Sequence, residues 1–355
     1  MDAARSAPRR RRVPTRQTAM IDFKKLERAL VEPASLALTC HVNPDADAIG
    51  SETALRRALV AIGKEVRIVN FNETPDNLRF LDPDDAVERY DPERHDDYLK
   101  NVDLLVCVDC NQLNRLAKME PVARARSKPI ICVDHHQDPE YQAFADVFVQ
   151  DDYAAVGHIV YDLIVGADWT PMDRALAEPL YAAIMTDTGS FRYERTTPTV
   201  HRVAAALLEA GVDPERVNEE IHNRSALARV KLLGETIASL ELRGDGGLAT
   251  ARISRETLAK CGASETDTGG FVNVPLTVNG VAISLLFMEL REGFKVNLRS
   301  KGAIPIHELA REYGGGGHRN AAGIRIFDRR MEELREEIIR RGIDYLEKGN
   351  PDEKS

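Results

Sequence analysis

The residues with the clearest chemical potential are one acid and two imidazoles, Asp134-His135-His136, which directly follow the apolar run 129–133. This run has no polar alternation and therefore predicts a short buried strand. Ionisable side chains are costly to place at the end of such a strand unless they bind a partner. A metal site would satisfy them, but a capped turn with solvated histidines has the same sequence signature. The rest of the chain must decide between the two interpretations.

Two further polar clusters stand at the ends of predicted strands. The apolar runs 36–40 and 104–108 both predict strands. The polar residues that follow them are His41, Asp45 and Asp47 after the first, and Asp109 after the second. Strand patterns alternate here with helical patterns, which indicates a mostly parallel α/β sheet. Because such sheets bind ligands at the carboxyl ends of their strands, we expect the three clusters to meet in one site.

The segment that leads to about Ile62 is predicted to be a loop followed by a helix. Pro44 disfavours helix at the residue before it, which keeps the first polar cluster on a loop. Asp47 is expected to cap the helix that follows. A later helical pattern, 173–185, is followed by Asp187, which would bring a further carboxylate to the site.

These positions supply imidazole and carboxylate ligands without a cysteine thiolate. Such a set suits manganese first, then iron, cobalt or zinc, and suits calcium poorly. One catalytic ion that keeps open positions for water and substrate has no room for so many ligands. They fit two divalent ions about 3.5–4 Å apart that share one carboxylate, an arrangement suited to phosphoryl displacement by a bridging hydroxide. The candidate ligands are His41, Asp45, Asp47, Asp109, His135 and Asp187, with Asp134 and His136 beside them.

A second candidate element is the run of four glycines and a histidine at 314–318. One glycine would be enough to end the preceding helix, and each further glycine costs on the order of 0.5–1 kcal/mol of backbone entropy. The run therefore suggests a backbone that approaches a ligand closely, with N–H groups that could hold a terminal phosphate. It is not a P-loop, because no Gly-Lys-Ser/Thr follows. The candidate substrate-binding residues are Gly315, Gly316, Gly317, His318, Arg299 and Arg192; for the two arginines, simple solvent exposure is the alternative.

The charge of the chain argues against broad nucleic-acid binding. Of 355 residues, 48 are Lys or Arg and 57 are Asp or Glu, which gives a formal net charge of −9. The first twenty residues contain six arginines and one aspartate, so residues 21–355 carry 42 basic against 56 acidic side chains, or −14. Affinity for long strands or duplexes depends on a wide basic surface. A nucleotide substrate would have to be small and held locally by metal ions and a few arginines.

Several features predict a cytoplasmic protein. Three of the five cysteines, Cys40, Cys107 and Cys132, lie in or beside apolar runs, which argues for a reducing compartment. No apolar run approaches the ~20 residues of a transmembrane helix, and the N-terminus has no signal-peptide core. Residues 1–19 are expected to be a disordered basic tail, with Met20 as an alternative start.

Taken together, the motifs resemble those of the DHH/DHHA1 phosphoesterase family. They are His41-x-x-x-Asp45-x-Asp47, Asp109 at a strand end, Asp134-His135-His136, Asp187, and Gly314 to His318 followed by Ala321-Ala322-Gly323. The resemblance covers roughly residues 21–345, and five motifs in the right order are far more specific than any one of them. One departure is Ala46, where the family often has glycine; alanine would add strain if the backbone there needs a positive φ.

The resemblance implies a fold of two α/β domains. Residues 20–222 would form a catalytic DHH domain with a mostly parallel sheet, and 243–348 a smaller, substrate-binding DHHA1 domain. A helical linker at 223–242 would join them, and 349–355 would be a disordered tail. The active site would lie in the cleft between the domains.

The resemblance also implies residue roles. The ligands would be His41, Asp45 and Asp109 for one ion, and Asp47, Asp109, His135 and Asp187 for the other. Asp109 would thus bridge the two ions. Asp134 would orient an imidazole, and His136 would face the substrate and assist its phosphate or leaving oxygen.

Within the family, the architecture resembles that of the short nanoRNase/pAp phosphatases. These degrade oligoribonucleotides of a few residues to mononucleotides and convert 3′-phosphoadenosine 5′-phosphate (pAp) to AMP. Alternatives are a linear or cyclic dinucleotide phosphodiesterase, a RecJ-like single-strand exonuclease, a family II pyrophosphatase, and a nucleotide-binding regulator with an inert site. Short RNA and pAp are the expected partners, without a membrane or long duplex nucleic acid, and the sequence leaves room for a homodimer.

Overall fold

The structure, a computed structural model, describes residues 20–224 and 226–349. The basic tail expected at 1–19 lies outside these residues, as does the C-terminal tail expected at 349–355 except for its first residue. By its internal contacts the chain divides into two compact units, one that ends at Arg224 and one that follows it. Among the described residues, no helix is long and apolar enough to cross a membrane.

The first unit is built on a six-stranded parallel sheet. Its strands are β1 (Ser35–Thr39), β2 (Glu65–Asn70), β3 (Val87–Arg89), β4 (Leu104–Val108), β5 (Ile130–Asp134) and β6 (Asp146–Val149). Their order is β3-β2-β1-β4-β5-β6, and every pairing is parallel. The chain builds outward from β1 on one side and from β4 on the other, which creates a topological switch point between these two strands. The predicted α/β fold with a parallel sheet is confirmed.

The inner strands β1 and β4 are almost entirely apolar because both faces of the sheet are covered there. Leu36 and Leu38 of β1 belong to one hydrophobic cluster, whereas Ala37 between them belongs to another. Val106 and Leu105 of β4 divide in the same way. Since successive side chains of a strand point to opposite faces, a strand buried on both sides has no position for a polar residue before its end.

Helices flank the sheet and carry several of the polar residues to its edge. They are α1 (Phe23–Val31), α2 (Ala46–Ala61), α3 (Pro92–Asn101), α4 (Glu120–Arg124), α5 (Val156–Ala167), α6 (Arg174–Asp187), α7 (Pro198–Glu209) and α8 (Pro214–His222). The helices α2, α5 and α6 pack against one another, and their close contact depends on glycine. A Cβ on Gly50 of α2 would lie 2.4 Å from Pro179 O of α6, and one on Gly157 of α5 would lie 2.5 Å from Ala183 Cβ.

The cap of α2 differs from the prediction. Asp45 Oδ1 accepts a hydrogen bond from Ala48 N at 3.1 Å, and Asp45 is therefore the N-cap. The prediction that Asp47 caps this helix is wrong, because the chain turns helical two residues earlier and places Asp47 in the first turn. Ala46 begins the helix and lacks the positive φ that would strain alanine; Asn43 is the residue of this loop that has one, at 56°.

The second unit contains a mixed six-stranded sheet. Its strands are β7 (Glu241–Arg243), β8 (Leu248–Ile253), β9 (Ile283–Glu289), β10 (Phe294–Ser300), β11 (Gly316–His318) and β12 (Ala321–Ile326). Their order is β11-β12-β10-β9-β8-β7, with only β8 and β9 parallel. Its helices are α9 (Leu227–Ala238), α10 (Arg255–Cys261), α11 (Ile306–Glu312) and α12 (Met331–Gly349). Leu232 of α9 is buried in this unit with Ile253 and Leu286.

The glycine run ends α11 and then forms β11. Gly314 has a φ of 73°, as expected for a residue that ends a helix. A Cβ on Gly315 would lie 2.2 Å from Gly323 O, and one on Gly317 would lie 2.4 Å from Ala321 O. Strand pairing therefore explains these two glycines without a ligand, whereas the sequence pattern predicted close approach to a ligand. A Cβ added to Gly316 would meet no atom within 4 Å.

Candidate metal centre

The predicted ligands gather at the carboxyl edge of the parallel sheet. Within each of three groups, the possible ligand atoms lie within 4.8 Å of one another; the groups are His41, Asp45 and Asp109; Asp47, His135 and Asp187; and Asp109, Asp134, His135 and His136. These groups include all six predicted metal ligands, with Asp134 and His136 beside them. The site occupies the edge next to the switch point between β1 and β4, where open parallel sheets bind their ligands.

The first group lies between the ends of β1 and β4. His41 Nε2 is 3.1 Å from Asp109 Oδ2 and 3.8 Å from Asp45 Oδ2. His41 Nδ1 is held by Val42 O at 2.9 Å, which leaves Nε2 directed at the carboxylates. The Asp45 side chain is 56% exposed, whereas that of Asp109 is 2% exposed, so this group opens to solvent on the Asp45 side.

The second group is deeper in the molecule. His135 Nε2 lies 3.2 Å from Asp187 Oδ2 and 3.7 Å from Asp47 Oδ2. Asp47 is completely buried. Its carboxylate accepts hydrogen bonds from Val156 N at 2.8 Å and Gly157 N at 2.9 Å, and it thereby caps the N-terminus of α5 rather than that of α2. The positive end of the α5 dipole stabilises a carboxylate at this position.

Asp109 connects the two groups. Its Oδ2 faces His41, while its Oδ1 lies 3.8 Å from His135 Nε2. The residue has a φ of 54°, in the left-handed region, where aspartate is one of the few residues tolerated besides glycine. This turn at the end of β4 directs a single carboxylate at both groups. Such backbone strain is commonly found at functional sites.

The remaining pair, Asp134 and His136, is organised by one carboxylate oxygen. Asp134 Oδ1 accepts hydrogen bonds from His136 Nδ1 at 2.8 Å, from His135 N at 2.6 Å and from His136 N at 2.8 Å. This oxygen fixes both the turn after β5 and the His136 ring. The His136 side chain is 36% exposed, so its imidazole stands at the surface of the site.

Burial and neighbouring charges shift the pKa values of the histidines and carboxylates in the site. Burial lowers the pKa of His41 and of His136, but hydrogen bonds to carboxylates outweigh it and raise each to about 10. Burial opposes the charged form of His135 as well, but the adjacent carboxylate of Asp187 raises its pKa to about 9. Burial favours protonation of Asp109, yet the adjacent imidazoles of His136 and His41 hold its pKa well below the usual range. Burial raises the pKa of Asp47 and of Asp187.

Buried atoms without a hydrogen bond fit a metal ion. His135 Nε2 and Asp109 Oδ1 are inaccessible to solvent and have no hydrogen-bond partner of good geometry. The other ring nitrogen, His135 Nδ1, lies 3.2 Å from Tyr153 O and can donate to it, which leaves Nε2 as the ligand atom. Since orphaned buried polar atoms are costly, coordination of a cation would relieve both. The donor set, imidazole and carboxylate without thiolate, suits a divalent metal.

Two residues near the site were not predicted. Arg195 Nη1 lies 3.2 Å from His135 Nδ1 and 3.4 Å from Tyr153 O. Glu52 of α2 is completely buried, and Asn70 Nδ2 donates to its Oε2 at 2.7 Å. A loop arginine carries no local signal of such a contact. Glu52 did offer a signal in the sequence, since it is an acid within the apolar pattern of a predicted helix.

The predicted substrate-binding residues lie in both units. Arg192 belongs to the loop after α6, is exposed, and donates through Nε to Gly189 O at 2.5 Å. Arg299 of β10 is half-buried, donates through Nη1 to Leu298 O at 3.0 Å, and has its guanidinium pKa lowered by burial. In the register of the sheet, Arg299 is paired with Ala321, and Ala321 with His318. The His318 side chain lies outside the described part of the structure.

The chain matches two family models. Residues 35–184 match the model described as the DHH family, N-terminal domain, and residues 245–344 match the DHHA1 domain. The first match covers the parallel sheet and most of the metal-binding candidates, and the second covers the sheet that contains the glycine run.

Individual proteins are similar over most of their length. A Thermus thermophilus protein named bifunctional oligoribonuclease and PAP phosphatase NrnA is 34% identical over 321 residues, which cover 86% of this chain and 90% of the relative. The Bacillus subtilis protein of the same name is 28% identical over 297 residues, covering 82% and 90%. Among solved structures, an exopolyphosphatase-related protein from Bacteroides fragilis matches with a TM-score of 0.85 at 27% identity, covering 92% of this chain and 97% of that protein.

Proposed function

This chain belongs to the DHH phosphoesterase family, with a C-terminal DHHA1 domain, and from that premise we propose that it hydrolyses short oligoribonucleotides to mononucleotides and pAp to AMP. The names of the Thermus and Bacillus relatives support both activities. The observation that carries the proposal is the pair of ligand groups that share Asp109. A bridging carboxylate between two ligand sets is what two-ion phosphoryl transfer requires.

We assign one divalent ion to His41, Asp45 and Asp109, and a second to Asp47, Asp109, His135 and Asp187, with manganese as the metal that suits the ligands first. When bound, the two ions supply the positive charge that an in-line displacement at phosphorus needs. The protein fixes these ligands in advance. Asp47 is held by α5, and Asp109 is held by its turn at the end of β4.

We propose that His136 acts as the general acid that protonates the leaving oxygen. Asp134 Oδ1 binds its Nδ1 at 2.8 Å and thereby fixes the ring orientation. The same carboxylate favours the protonated imidazole, which is the form that a general acid needs. Asp134 is thus a positioning residue that acts through His136.

We propose that the second unit binds a phosphate of the substrate. Packing does not require a glycine at position 316, since a Cβ added there would meet no atom within 4 Å. A bare backbone at an open position can offer its N–H to an anion. Arg299 adds a guanidinium whose pKa is lowered by burial, and an anionic partner would offset that desolvation. The net negative charge of the chain also favours a short substrate over a long strand.

The test is product analysis with Mn²⁺ on pAp, a 5′-phosphorylated diribonucleotide, cyclic di-AMP, pyrophosphate and a long single-stranded DNA. We expect rapid turnover of the first two, to AMP and mononucleotides, and little of the rest. Asp109→Asn protein purified in parallel controls for contaminating phosphatases. Preference for cyclic di-AMP, for pyrophosphate or for the long strand would replace the proposal with the corresponding alternative activity. No turnover of any of them would leave a nucleotide-binding regulator.

A further inference from the structure

An exposed aromatic ring stands on the loop that follows Asp187. The loop is tightly ordered by its own backbone: Arg192 N and Tyr193 N both donate to Thr188 O, at 2.9 and 3.0 Å, and Ser190 N donates to Met185 O at 2.7 Å. It therefore folds back on the C-terminal end of α6, whose last residue is Asp187.

Tyr193 covers Gly189 with the face of its ring. A Cβ added to Gly189 would lie 2.4 Å from Tyr193 Cζ and 2.6 Å from both Cε atoms. If the added Cβ lay beyond the edge of the ring, it would be clearly farther from the Cε atoms than from Cζ. The three distances are nearly equal, so the Cβ position lies above the face of the ring. Gly189 has a φ of 57°, and both its backbone conformation and the ring above it exclude a larger residue.

The opposite side of this ring is open. Tyr193 is 61% exposed although one face of its ring covers the backbone of Gly189. Phe191, two residues earlier, points inward instead, with its ring 5.9 Å from that of Tyr181 and 5.7 Å from that of His201. Phe191 and the backbone hydrogen bonds thus hold the loop, and the Tyr193 ring is not needed for that purpose.

The ring lies close to the proposed site of phosphoryl transfer. Gly189 is two positions after Asp187, so their Cα atoms are at most about 7 Å apart. On the other side of Tyr193 in the sequence, Arg195 contacts the His135 imidazole, with Nη1 3.2 Å from Nδ1. The tyrosine is therefore bracketed by two residues that touch the metal centre, within reach of a base attached to a phosphate held there.

We propose that Tyr193 is a stacking platform for the nucleobase next to the phosphate that is cleaved, and that it thereby selects nucleotides over other phosphate esters. The inference rests on the proposed function and adds a specificity-determining residue to it. Stacking on an aromatic side chain tolerates any base, because every base has a π face. It provides recognition of short RNA of mixed sequence without hydrogen bonds to base edges.

The decisive comparison is between pAp and its abasic analogue, 1,2-dideoxyribose 3,5-bisphosphate, which has both phosphates but no base. For Tyr193→Ala we expect KM for pAp to rise on the order of 10-fold, from the usual contribution of one stacked base. We expect little change in kcat, and no change for the abasic compound. Tyr193→Phe keeps the ring and should behave like the wild type. Tyr141→Ala removes a tyrosine that is similarly exposed, at 55%, and serves as the matched control.

Equilibrium dialysis with AMP provides a second measurement that does not depend on turnover. Tyr193→Ala should bind AMP about 10-fold more weakly than wild type and Tyr193→Phe equally well. If Tyr193→Ala raised KM equally for pAp and for the abasic compound, Tyr193 would have a structural role and the proposal would be wrong. An unchanged affinity of Tyr193→Ala for AMP would also overturn the proposal. Failure of the proposed function is distinct, because the wild type would then turn over neither pAp nor a diribonucleotide, while dialysis would still test the stacking.

Discussion

His41 Nε2 lies 3.1 Å from Asp109 Oδ2, although 68 residues separate them in the sequence. The contact crosses the switch point of the sheet, because His41 follows β1 and Asp109 follows the adjacent strand β4. The other oxygen of the same carboxylate faces His135, 3.8 Å away. One side chain thus connects both ligand groups.

Asp109→Asn should reduce hydrolysis of pAp by more than about 100-fold, the upper end of the loss seen when a partner of a ligand is removed. The amide has the same shape but loses the charge that both ligand groups use. Bound metal, measured by atomic emission after dialysis, should fall with activity. Asp103→Asn, which alters a half-exposed acid next to the other end of β4, should retain both activity and metal. Full activity of Asp109→Asn would remove the basis for a shared ligand.

Asp134→Asn should lower kcat by about 10–100-fold and retain bound metal. Asp134 Oδ1 accepts from His136 Nδ1 and from two backbone N–H groups, so the amide keeps part of the turn but weakens the hold on the ring. The pH dependence of kcat separates this role from a structural one, since a displaced His136 should shift its acidic or basic limb. Loss of metal in Asp134→Asn would instead make Asp134 a ligand.

The meeting of the candidate ligands was predictable because parallel strands bring their carboxyl ends to one edge. Each cluster follows an apolar run, and the structure places all eight residues together. How the ligands are held was not predictable in the same way. Asp47 caps α5 through Val156, 109 residues away, and no local pattern links the two positions.

One local prediction was wrong and another was incomplete, each for an identifiable reason. Asp47 was expected to cap α2 because its residue type suits a cap, but Asp45 suits it equally and comes first. The glycines beyond the helix end were attributed to ligand approach, whereas the packing of β11 against β12 accounts for Gly315 and Gly317. Steric demands between strands distant in the sequence cannot be distinguished from ligand demands until the pairing is known.

Metal affinity should increase with pH between about 7 and 9. Adjacent carboxylates outweigh burial and raise the pKa of His41 to about 10 and that of His135 to about 9 in the metal-free protein, so both imidazoles are positively charged near neutral pH. Coordination requires the neutral ring, and binding must therefore release these protons. Titration calorimetry with Mn²⁺ in two buffers of different ionisation enthalpy at pH 7.5 should show release of at least one proton. An affinity that does not change from pH 6.5 to 9 would contradict the assignment of these histidines.

Gly316→Ala should affect substrate binding, whereas Gly317→Ala should affect stability. A Cβ at Gly316 has free space, so Tm should stay unchanged, but KM for pAp should rise several-fold if the backbone here contacts phosphate. A Cβ at Gly317 would lie 2.4 Å from Ala321 O, at a φ of 142°, so Tm should fall by about 5 °C or more. Differential scanning fluorimetry and pAp kinetics on the two variants test this. An unchanged KM in Gly316→Ala would leave that position without a role in binding.

Glu52→Gln should stabilise the metal-free protein at alkaline but not at acidic pH. Burial raises the pKa of the Glu52 carboxyl from an ordinary value of 4.5 to about 8. The folded state therefore keeps a proton that the unfolded state has lost, and stability falls as pH rises through this interval, by up to about 1.4 kcal/mol per pH unit. Glutamine copies the neutral acid and can still accept from Asn70 Nδ2, which donates to Glu52 Oε2 at 2.7 Å.

The measurement is Tm of wild type and Glu52→Gln after treatment with EDTA, at pH 6, 7, 8 and 9. The difference in favour of the variant should grow up to about pH 8 and then level off, because above its folded pKa Glu52 is ionised in both states. Glu65→Gln, which alters an exposed carboxyl on β2, should show no such trend. A Glu52→Gln protein that is less stable than wild type at every pH would mean that the charged carboxylate, and not the protonated acid, is the form that the fold retains beside the metal centre.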